Sequence, residues 1–265
     1  MLGTSDGRTE RKEQDMSETK DKKIPKVSID MFNWGPCVIR LRINEEFQNL
    51  LIDEAKNNKD DYRGKLAGQI DDETGYSDES RNKIVPYVSS ALGLYNKAYE
   101  AYTKKKFEKQ PEYIMSALWI NHQKANEFNP PHDHDGKLSF VIYLKIPEEL
   151  KKENEAYKGK SCGPGGIQFI YGEGPRDAIT YMSYFPRERD MFIFPAWLKH
   201  WVSPFQSDCT RISVSGNIHD SAPLNNISKF GPTYIEDRDK RNADKKDTTK
   251  SGPLHTDVTK SGTPE

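Results

Sequence analysis

The sequence has few cysteines and no long apolar run, and each shortage excludes a class of protein. Its 265 residues include three cysteines, odd in number and widely spaced at Cys37, Cys162 and Cys209. That pattern fits neither a disulfide framework nor a paired-cysteine zinc site. No stretch approaches the roughly 20 apolar residues of a membrane-spanning helix, and the chain starts without an apolar signal segment. We therefore expect a soluble protein of the cytoplasm.

A surplus of charge of either sign is also missing. The 40 lysines and arginines are balanced by 41 aspartates and glutamates, which leaves a formal net charge of −1. Proteins that bind nucleic acid through its phosphates usually carry a strongly basic surface. The balance therefore gives no reason to expect a nucleic acid as a partner.

Periodic apolar residues are missing from both ends of the chain. Residues 1–25 and 236–265 are polar, charged and without helical or strand periodicity, which predicts disordered tails. The segment between them contains the aromatic and β-branched runs and is long enough for one buried core. The sequence thus predicts a single domain over residues 26–235.

Within that domain, helical patterns come first and strand patterns follow. Residues 44–58 predict a helix that Asn44 caps, because apolar residues recur on one face and two glutamates fill the first turn. A second helix is predicted over residues 86–107. From residue 113 onward, short aromatic and β-branched runs separated by turn residues predict about seven or eight strands. This order favours an α+β fold, a double-stranded β-helix (jelly roll) with supporting helices on its N-terminal side.

Two closely spaced histidines form the first candidate site. His132 and His134 stand between a double proline and an apolar run, and in a strand residues two apart face the same way. Their imidazoles would then point together into the space that the sheets enclose. A metal site needs a further ligand, and His200 can supply it from beyond the next apolar strands. We expect His132 and His200 on strands of facing sheets, adjacent in space.

The strand predicted at residues 210–218 carries an arginine on the same face as two serines. Arg211, Ser213 and Ser215 fall on one face of this strand, and the residues between them are apolar. A face with one arginine and two serines lies either in solvent or along a polar pocket. The pattern by itself leaves both possibilities open.

Taken in order, these residues resemble the 2-oxoglutarate and iron(II)-dependent oxygenases. Members of that superfamily have a histidine, an acid two residues later, a distal histidine and, shortly after it, an arginine often followed by a serine. Here the order is His132, His134, His200, Arg211 and Ser213. The resemblance covers residues 113–218 and is greatest to members found in bacteria and their phages. A phage-encoded protein of this kind would act in the cytoplasm of the host cell.

The resemblance implies a reaction and its cofactors. His132, His134 and His200 would hold Fe(II), and the 2-keto acid end of 2-oxoglutarate would chelate the same ion, with O2 as the third reactant. Reactions of this superfamily convert 2-oxoglutarate to succinate while a substrate is oxidised, here expected by hydroxylation. No catalytic side chain beyond the metal ligands is implied.

The resemblance also assigns residues to the co-substrate. The planar guanidinium group of Arg211 would form two parallel hydrogen bonds with the far carboxylate of 2-oxoglutarate, a geometry that lysine reproduces poorly. Ser213 would be a second donor to that carboxylate. Tyr143 and Asn121, on strands expected to line the same space, would make weaker contacts.

One residue departs from the family pattern and leaves alternatives open. An acid usually stands two residues after the first histidine, where this chain has His134. Either three histidines hold the metal, or Asp133 or Asp135 replaces one of them through irregular loop geometry. Two other functions also stay open. One is a cupin-like three-histidine metalloenzyme that does not use 2-oxoglutarate, and the other is a jelly-roll protein that binds without catalysis.

The substrate is not specified by any motif. Residues 58–82 and 151–163 are polar and loop-like, and we expect them to cover the mouth of the barrel and select the substrate. A peptidyl residue and a small molecule both fit this arrangement. The sequence contains no pattern that predicts an oligomeric state.

Overall fold

The computed structural model describes residues 35–174 and 179–221. The predicted tails, residues 1–25 and 236–265, lie outside the described residues, as do both ends of the predicted domain. The helices are α1 (Glu45–Ala55), α2 (Asp78–Thr103) and α3 (Glu148–Ala156). The strands are β1 (Ile39–Arg42), β2 (Asp60–Asp61), β3 (Glu73–Gly75), β4 (Tyr113–Gln123), β5 (Asn129–His132), β6 (Leu138–Lys145), β7 (Ile167–Ile170), β8 (Tyr181–Tyr184), β9 (Asp190–Pro195), β10 (Lys199–Val202) and β11 (Arg211–Asp220).

The strands form two antiparallel sheets that face each other. The larger has seven strands in the order β1-β9-β6-β11-β4-β3-β2, and the smaller has four in the order β5-β10-β7-β8. From β4 onward the chain crosses repeatedly between them, because β4, β6, β9 and β11 belong to the larger sheet and the strands between them to the smaller. This winding is that of a double-stranded β-helix. The predicted α+β jelly roll with N-terminal supporting helices is confirmed.

The central strands are apolar along their whole length because both of their faces are buried. On β6, Ile142 and Leu144 join the cluster that α1 and α2 form with the larger sheet. Val141 and Tyr143, the residues that alternate with them, join a second cluster between the two sheets. A strand with one face in solvent would alternate apolar with polar residues instead. Helices α1 and α2 therefore cover the outer face of the larger sheet, and its inner face lines the space between the two sheets.

The two N-terminal helices differ in how well the sequence predicts them. Helix α1 begins where predicted, and the side chain of Asn44 accepts a hydrogen bond from the Phe47 N–H at 2.9 Å. Helix α2 begins at Asp78, so the predicted start at residue 86 is wrong and Pro86 lies inside the helix. Ser77 caps α2, and two acids follow in its first turn, which is a stronger start signal than the proline. None of the helices described here is long and apolar enough to cross a membrane.

Candidate metal and co-substrate site

A cavity of about 180 Å³ lies between the two sheets and gathers most of the predicted site residues. The predicted members that line it are His132, His134, His200, Arg211, Ser213, Tyr143 and Asn121. Strands from both sheets supply them, as the jelly-roll interpretation predicts.

His132 and His200 are cross-strand neighbours. They lie on β5 and β10 and pair directly in the register of the four-stranded sheet, with ring centroids 4.3 Å apart. The expectation that they come from facing sheets is wrong, although they are adjacent in space as predicted. The chain returns to the smaller sheet at β10, next to β5, and this return brings together two residues that are distant in sequence.

His134 reaches the pair from a loop. Strand β5 ends at His132, so the prediction that both histidines face one way along a strand is wrong. The His134 N–H donates to the carbonyl of Ala196 at 2.9 Å, and this bond anchors the loop. The ring centroid of His134 lies 4.9 Å from that of His132 and 5.1 Å from that of His200.

Ligating atoms of these three histidines all lie within 4.8 Å of one another. Asp133 and Asp135, the alternative ligands, are exposed, and neither belongs to this group of ligating atoms. A cluster of imidazoles this close is a donor set that a divalent transition metal accepts.

Local hydrogen bonds select the tautomer of two of the rings. Nδ1 of His132 lies 2.6 Å from the carbonyl oxygen of Pro130, and Nδ1 of His200 lies 2.9 Å from that of Leu198. A carbonyl oxygen only accepts, so Nδ1 carries the proton in both rings. The lone pair of each Nε2 is then free for a ligand, the arrangement that outer-shell partners impose on metal-binding histidines.

Burial keeps the three imidazoles neutral. Burial lowers the pKa of His200 to about 3, with a further contribution from His132. Burial followed by the two neighbouring histidines lowers the pKa of His134 to about 2. Burial also lowers the pKa of His132. Because a metal binds the neutral imidazole, the cluster is in the ligating state at neutral pH.

Strand β11 directs its arginine and serines into the cavity. Arg211 and Ser213 are each 2% exposed, and Ser215 lines the same cavity. Val214, on the opposite face of the strand, belongs to the helix-side cluster. Of the two possibilities that the alternating pattern left open, the structure shows the polar pocket.

Arg211 is a buried cation that has no acidic partner in the described part of the chain. Its Nη1 donates to the Gly165 carbonyl at 2.8 Å, and its guanidinium carbon lies 5.3 Å from the centroid of the Tyr143 ring. Its Nε has no hydrogen-bond partner, and none of the ion pairs within the described residues includes it. Burial lowers the pKa of Arg211, although a guanidinium remains charged at neutral pH. A buried cation of this kind favours an anionic ligand.

Tyr143 and Asn121 flank the same point of β11. Ser213 pairs with Asn121 on β4 and with Tyr143 on β6, so the three residues form one row across the sheet. The Asn121 amide donates to the Ser213 hydroxyl at 3.4 Å, while Asn121 Oδ1 and the Tyr143 hydroxyl have no partner within the described residues. Burial raises the pKa of Tyr143 to about 12, so its hydroxyl stays a donor.

The loop between α1 and α2 supplies the residues that the sequence did not single out. Lys65, Leu66, Ala67 and Glu73 line the cavity, as the prediction for residues 58–82 requires. Residues 151–163 do not line it, so that part of the prediction is wrong. No local pattern distinguishes Glu73 from the acids beside it, because its burial depends on the pairing of β3 with β4.

Glu73 is a buried carboxyl group with an unusual proton affinity. It is 2% exposed, and its Oε2 has no partner within the described residues. Burial, with smaller contributions from Glu127 and Asp61, raises the pKa of Glu73 to about 7. A carboxyl group in this environment is close to half protonated at neutral pH.

Replacing Glu73 by glutamine is expected to stabilise the free protein at about pH 8 and to change its stability little at about pH 5. The Glu73 pKa is about 7 in the folded protein and ordinarily 4.5, so its stabilising contribution is fully present below 4.5 and is lost as the pH rises through 7. Glutamine does not ionise and escapes this loss, which we put at about 2 kcal/mol after solvent screening. Urea unfolding at both pH values measures the difference, with Asp71→Asn, an exposed neighbour, as control. A pH-independent difference between the two proteins would contradict the expectation.

Comparison with known proteins agrees with the sequence resemblance. Residues 117–217 match the family model described as "Putative 2OG-Fe(II) oxygenase". No protein of curated function matches the chain in sequence.

Three of the solved structures to which the chain is similar are the following. An oxidoreductase of the 2OG-Fe(II) oxygenase family from Burkholderia pseudomallei is 11% identical, covers 69% of this chain and 84% of its own, and has a TM-score of 0.46. A viral collagen prolyl hydroxylase from Paramecium bursaria Chlorella virus-1, in complex with 2OG, is 12% identical over 68% of this chain and 94% of its own, with a TM-score of 0.44. A prolyl-4-hydroxylase from Pseudomonas putida is 12% identical over 69% and 91%, with a TM-score of 0.43.

Proposed function

We propose that this protein, whose residues 117–217 match the family model described as "Putative 2OG-Fe(II) oxygenase", is a 2-oxoglutarate- and Fe(II)-dependent hydroxylase. The observation that carries the proposal is the unpaired Arg211, which lines the same cavity as the three neutral histidines. We assign the activity to the predicted domain, residues 26–235. Its substrate would be a peptidyl residue or a small molecule.

The donor set fits the ion. His132, His134 and His200 would hold Fe(II), and the hydrogen bonds at Nδ1 of the first and the last keep their Nε2 lone pairs available. His134 has no side-chain hydrogen bond to break within the described residues, so its ring can turn toward an ion. Bound Fe(II) supplies the activation of O2, and three protein ligands leave positions open for 2-oxoglutarate and O2.

The polar end of the cavity fits a dicarboxylate. Arg211 would bind the far carboxylate of 2-oxoglutarate and Ser213 would donate a further hydrogen bond to it. The Tyr143 hydroxyl, which has no partner among the residues that the structure describes and stays protonated, would be an additional donor. Asn121 would orient the Ser213 hydroxyl through the 3.4 Å hydrogen bond between them. These four side chains bind and orient the co-substrate, and none of them is required to transfer a proton.

The overall reaction balances with the reactants named. Substrate R–H, O2 and 2-oxoglutarate give R–OH, succinate and CO2. One oxygen atom enters the new carboxylate of succinate and the other enters the hydroxyl group. The loss of CO2 from 2-oxoglutarate supplies two electrons, and oxidation of the substrate supplies the other two.

A test of the proposal is succinate formation by the purified protein. Loaded with Fe(II) and supplied with 2-oxoglutarate and ascorbate, it is expected to form succinate slowly by itself and faster with a substrate. 2-Oxoglutarate should also raise the melting temperature of the Mn(II)-loaded protein, because a ligand that binds only the folded state stabilises it.

The outcomes separate the proposal from its rivals. Binding of Mn(II) without any effect of 2-oxoglutarate on melting or turnover would favour the cupin-like three-histidine enzyme, which does not need Arg211. Failure to bind Mn(II) or Fe(II) under anaerobic conditions would favour a jelly roll that binds without catalysis.

A further inference from the structure

Glu73 is a carboxylate in the cavity that the proposed reaction does not use. It lies on β3 and pairs in register with Asn121 of β4, so it occupies the same row of the sheet as the proposed co-substrate contacts. Its side chain lines the cavity that contains the three histidines. The Glu73 side chain is buried, with 2% of the residue exposed, and its Oε2 has no hydrogen-bond partner within the described residues.

The surroundings of Glu73 do not explain its burial. Buried polar groups in folded proteins nearly always have a partner, and a buried charge without one is strongly unfavourable. Glu127 and Asp61 act on Glu73 with the same sign of charge, and Arg63 opposes them. Arg63, however, is exposed and donates both of its side-chain hydrogen bonds to Asp61, at 2.9 and 2.6 Å. No cation of the described residues forms an ion pair with Glu73.

Binding of the proposed reactants would pair some of the charges that line the cavity and leave others unpaired. The far carboxylate of 2-oxoglutarate would neutralise Arg211, and the carboxylate that chelates the ion would offset one of its two charges, since the three histidines are neutral. Glu73 and Asp133 are then the acids on the cavity wall, against one cation, Lys65. Glu73 is the more buried of these two acids, because Asp133 is exposed, and it is therefore the carboxylate available to a cationic group inside the cavity.

We propose that Glu73 binds a cationic group of the substrate, an alkylammonium or a guanidinium. The inference rests on the proposed function, because it treats this cavity as a hydroxylation site. Trp119, on β4 and 4% exposed, lines the same cavity with its ring 5.8 Å from that of His134, and it offers an apolar wall for the alkyl chain that carries the cation. A substrate held at Glu73 by its charged end would present its aliphatic carbons toward the histidines.

The same cationic chemistry occurs in two sources, and a matched set of probes separates them. The free amino acids are L-arginine and L-lysine, with L-citrulline and L-norleucine as uncharged counterparts of similar shape. Each is also used within a short peptide with blocked ends. A preference for the peptide form would identify a peptidyl substrate, and a preference for the free form would identify a small molecule.

The test measures probe affinity and succinate formation on the Mn(II)- or Fe(II)-loaded protein with 2-oxoglutarate. At least one cationic probe is expected to bind about tenfold or more tightly than its uncharged counterpart, and to increase succinate formation. Glu73→Gln should remove most of that preference. Asp71→Asn, which deletes an exposed charge two positions earlier and outside the cavity, should retain it.

The pH dependence of binding gives a second readout. A guanidinium does not titrate near neutrality, so the affinity for the arginine probe should rise between about pH 6 and about pH 8 as Glu73 loses its proton. The charged groups that face Glu73 are Glu127, Asp61 and Arg63, with Lys65 on the same wall. The affinity of Glu73→Gln should rise less over this range, and the difference between the two proteins isolates Glu73.

The possible failures are distinguishable. If 2-oxoglutarate stabilises the protein and succinate forms, but no cationic probe is preferred to its counterpart, this inference is overturned and the proposed function stands. If neither stabilisation nor succinate is observed, the proposed function fails. The comparison of charged with uncharged probes on the wild-type protein decides the matter even if Glu73→Gln does not fold.

Discussion

Replacing His200 by alanine is expected to abolish metal-dependent succinate formation and to lower the affinity for Mn(II) or Fe(II) by on the order of a hundredfold or more. The substitution deletes one of three converging imidazoles, all of which are neutral and ready to ligate. The fold should tolerate the change at about 1–2 kcal/mol, because His200 lines a cavity and loses one local hydrogen bond to Leu198.

Metal titration by calorimetry and succinate formation measure this effect, and thermal unfolding measures the loss of stability. His219→Ala is the matched control, since His219 lies at the far end of the same β11 that carries Arg211 and does not line the cavity. An unchanged metal affinity in His200→Ala would remove His200 from the metal site.

The same measurement decides the third ligand. His134→Ala should resemble His200→Ala, because the His134 ring converges on the other two. Asp133→Asn and Asp135→Asn should bind metal nearly as the wild type does, because both acids are exposed. The opposite result would assign the position to a carboxylate, as in the usual pattern of the family.

Replacing Arg211 by lysine is expected to weaken the binding of 2-oxoglutarate by about tenfold or more. Lysine keeps the charge but loses the planar fork that forms two parallel hydrogen bonds with a carboxylate, and each hydrogen bond to a charged group contributes about 1.5–3 kcal/mol. The Gly165 carbonyl, which now accepts from Arg211 at 2.8 Å, would also lose its partner. Metal affinity should change little, because Arg211 is not among the converging ligands.

Titration with 2-oxoglutarate in the presence of Mn(II) checks this expectation. Arg40→Lys is a suitable control, since Arg40 is exposed on β1 and does not line the cavity. If Arg211→Lys binds 2-oxoglutarate as tightly as the wild type, Arg211 is not the anchor of the co-substrate. The cupin-like alternative would then be the better explanation of the three histidines.

Features that depend on neighbouring residues were predictable from the sequence. The Asn44 cap of α1 is one example, because a cap and its first turn are only a few residues long. The shared face of Arg211, Ser213 and Ser215 on β11 is another, because alternation along a strand is a local property. Helix α2 shows the limit of this reasoning. Its first turn is polar and predicts a loop, although Ser77 caps the helix.

Features that depend on strand order were not predictable. The pairing of His132 with His200 results from the return of β10 beside β5, and the position of His134 results from one hydrogen bond between its loop and Ala196. The Gly165 carbonyl that meets Arg211 comes from a turn to which the sequence assigned no contact.

The sequence by itself determined the class of fold, the identity of the three histidines and the arginine, and the order in which the chain presents them. The fold class follows from periodicities of two and 3.6 residues, which are local properties of the chain, and the histidines and the arginine follow from the family resemblance that their order carries. Only the tertiary structure decided which residues share the cavity, and it added Glu73 and Trp119 to the predicted set. The physical reason is that burial and mutual distance arise from contacts between strands far apart in sequence, so the raised pKa of Glu73 and the lowered pKa of each histidine exist only after those strands pair.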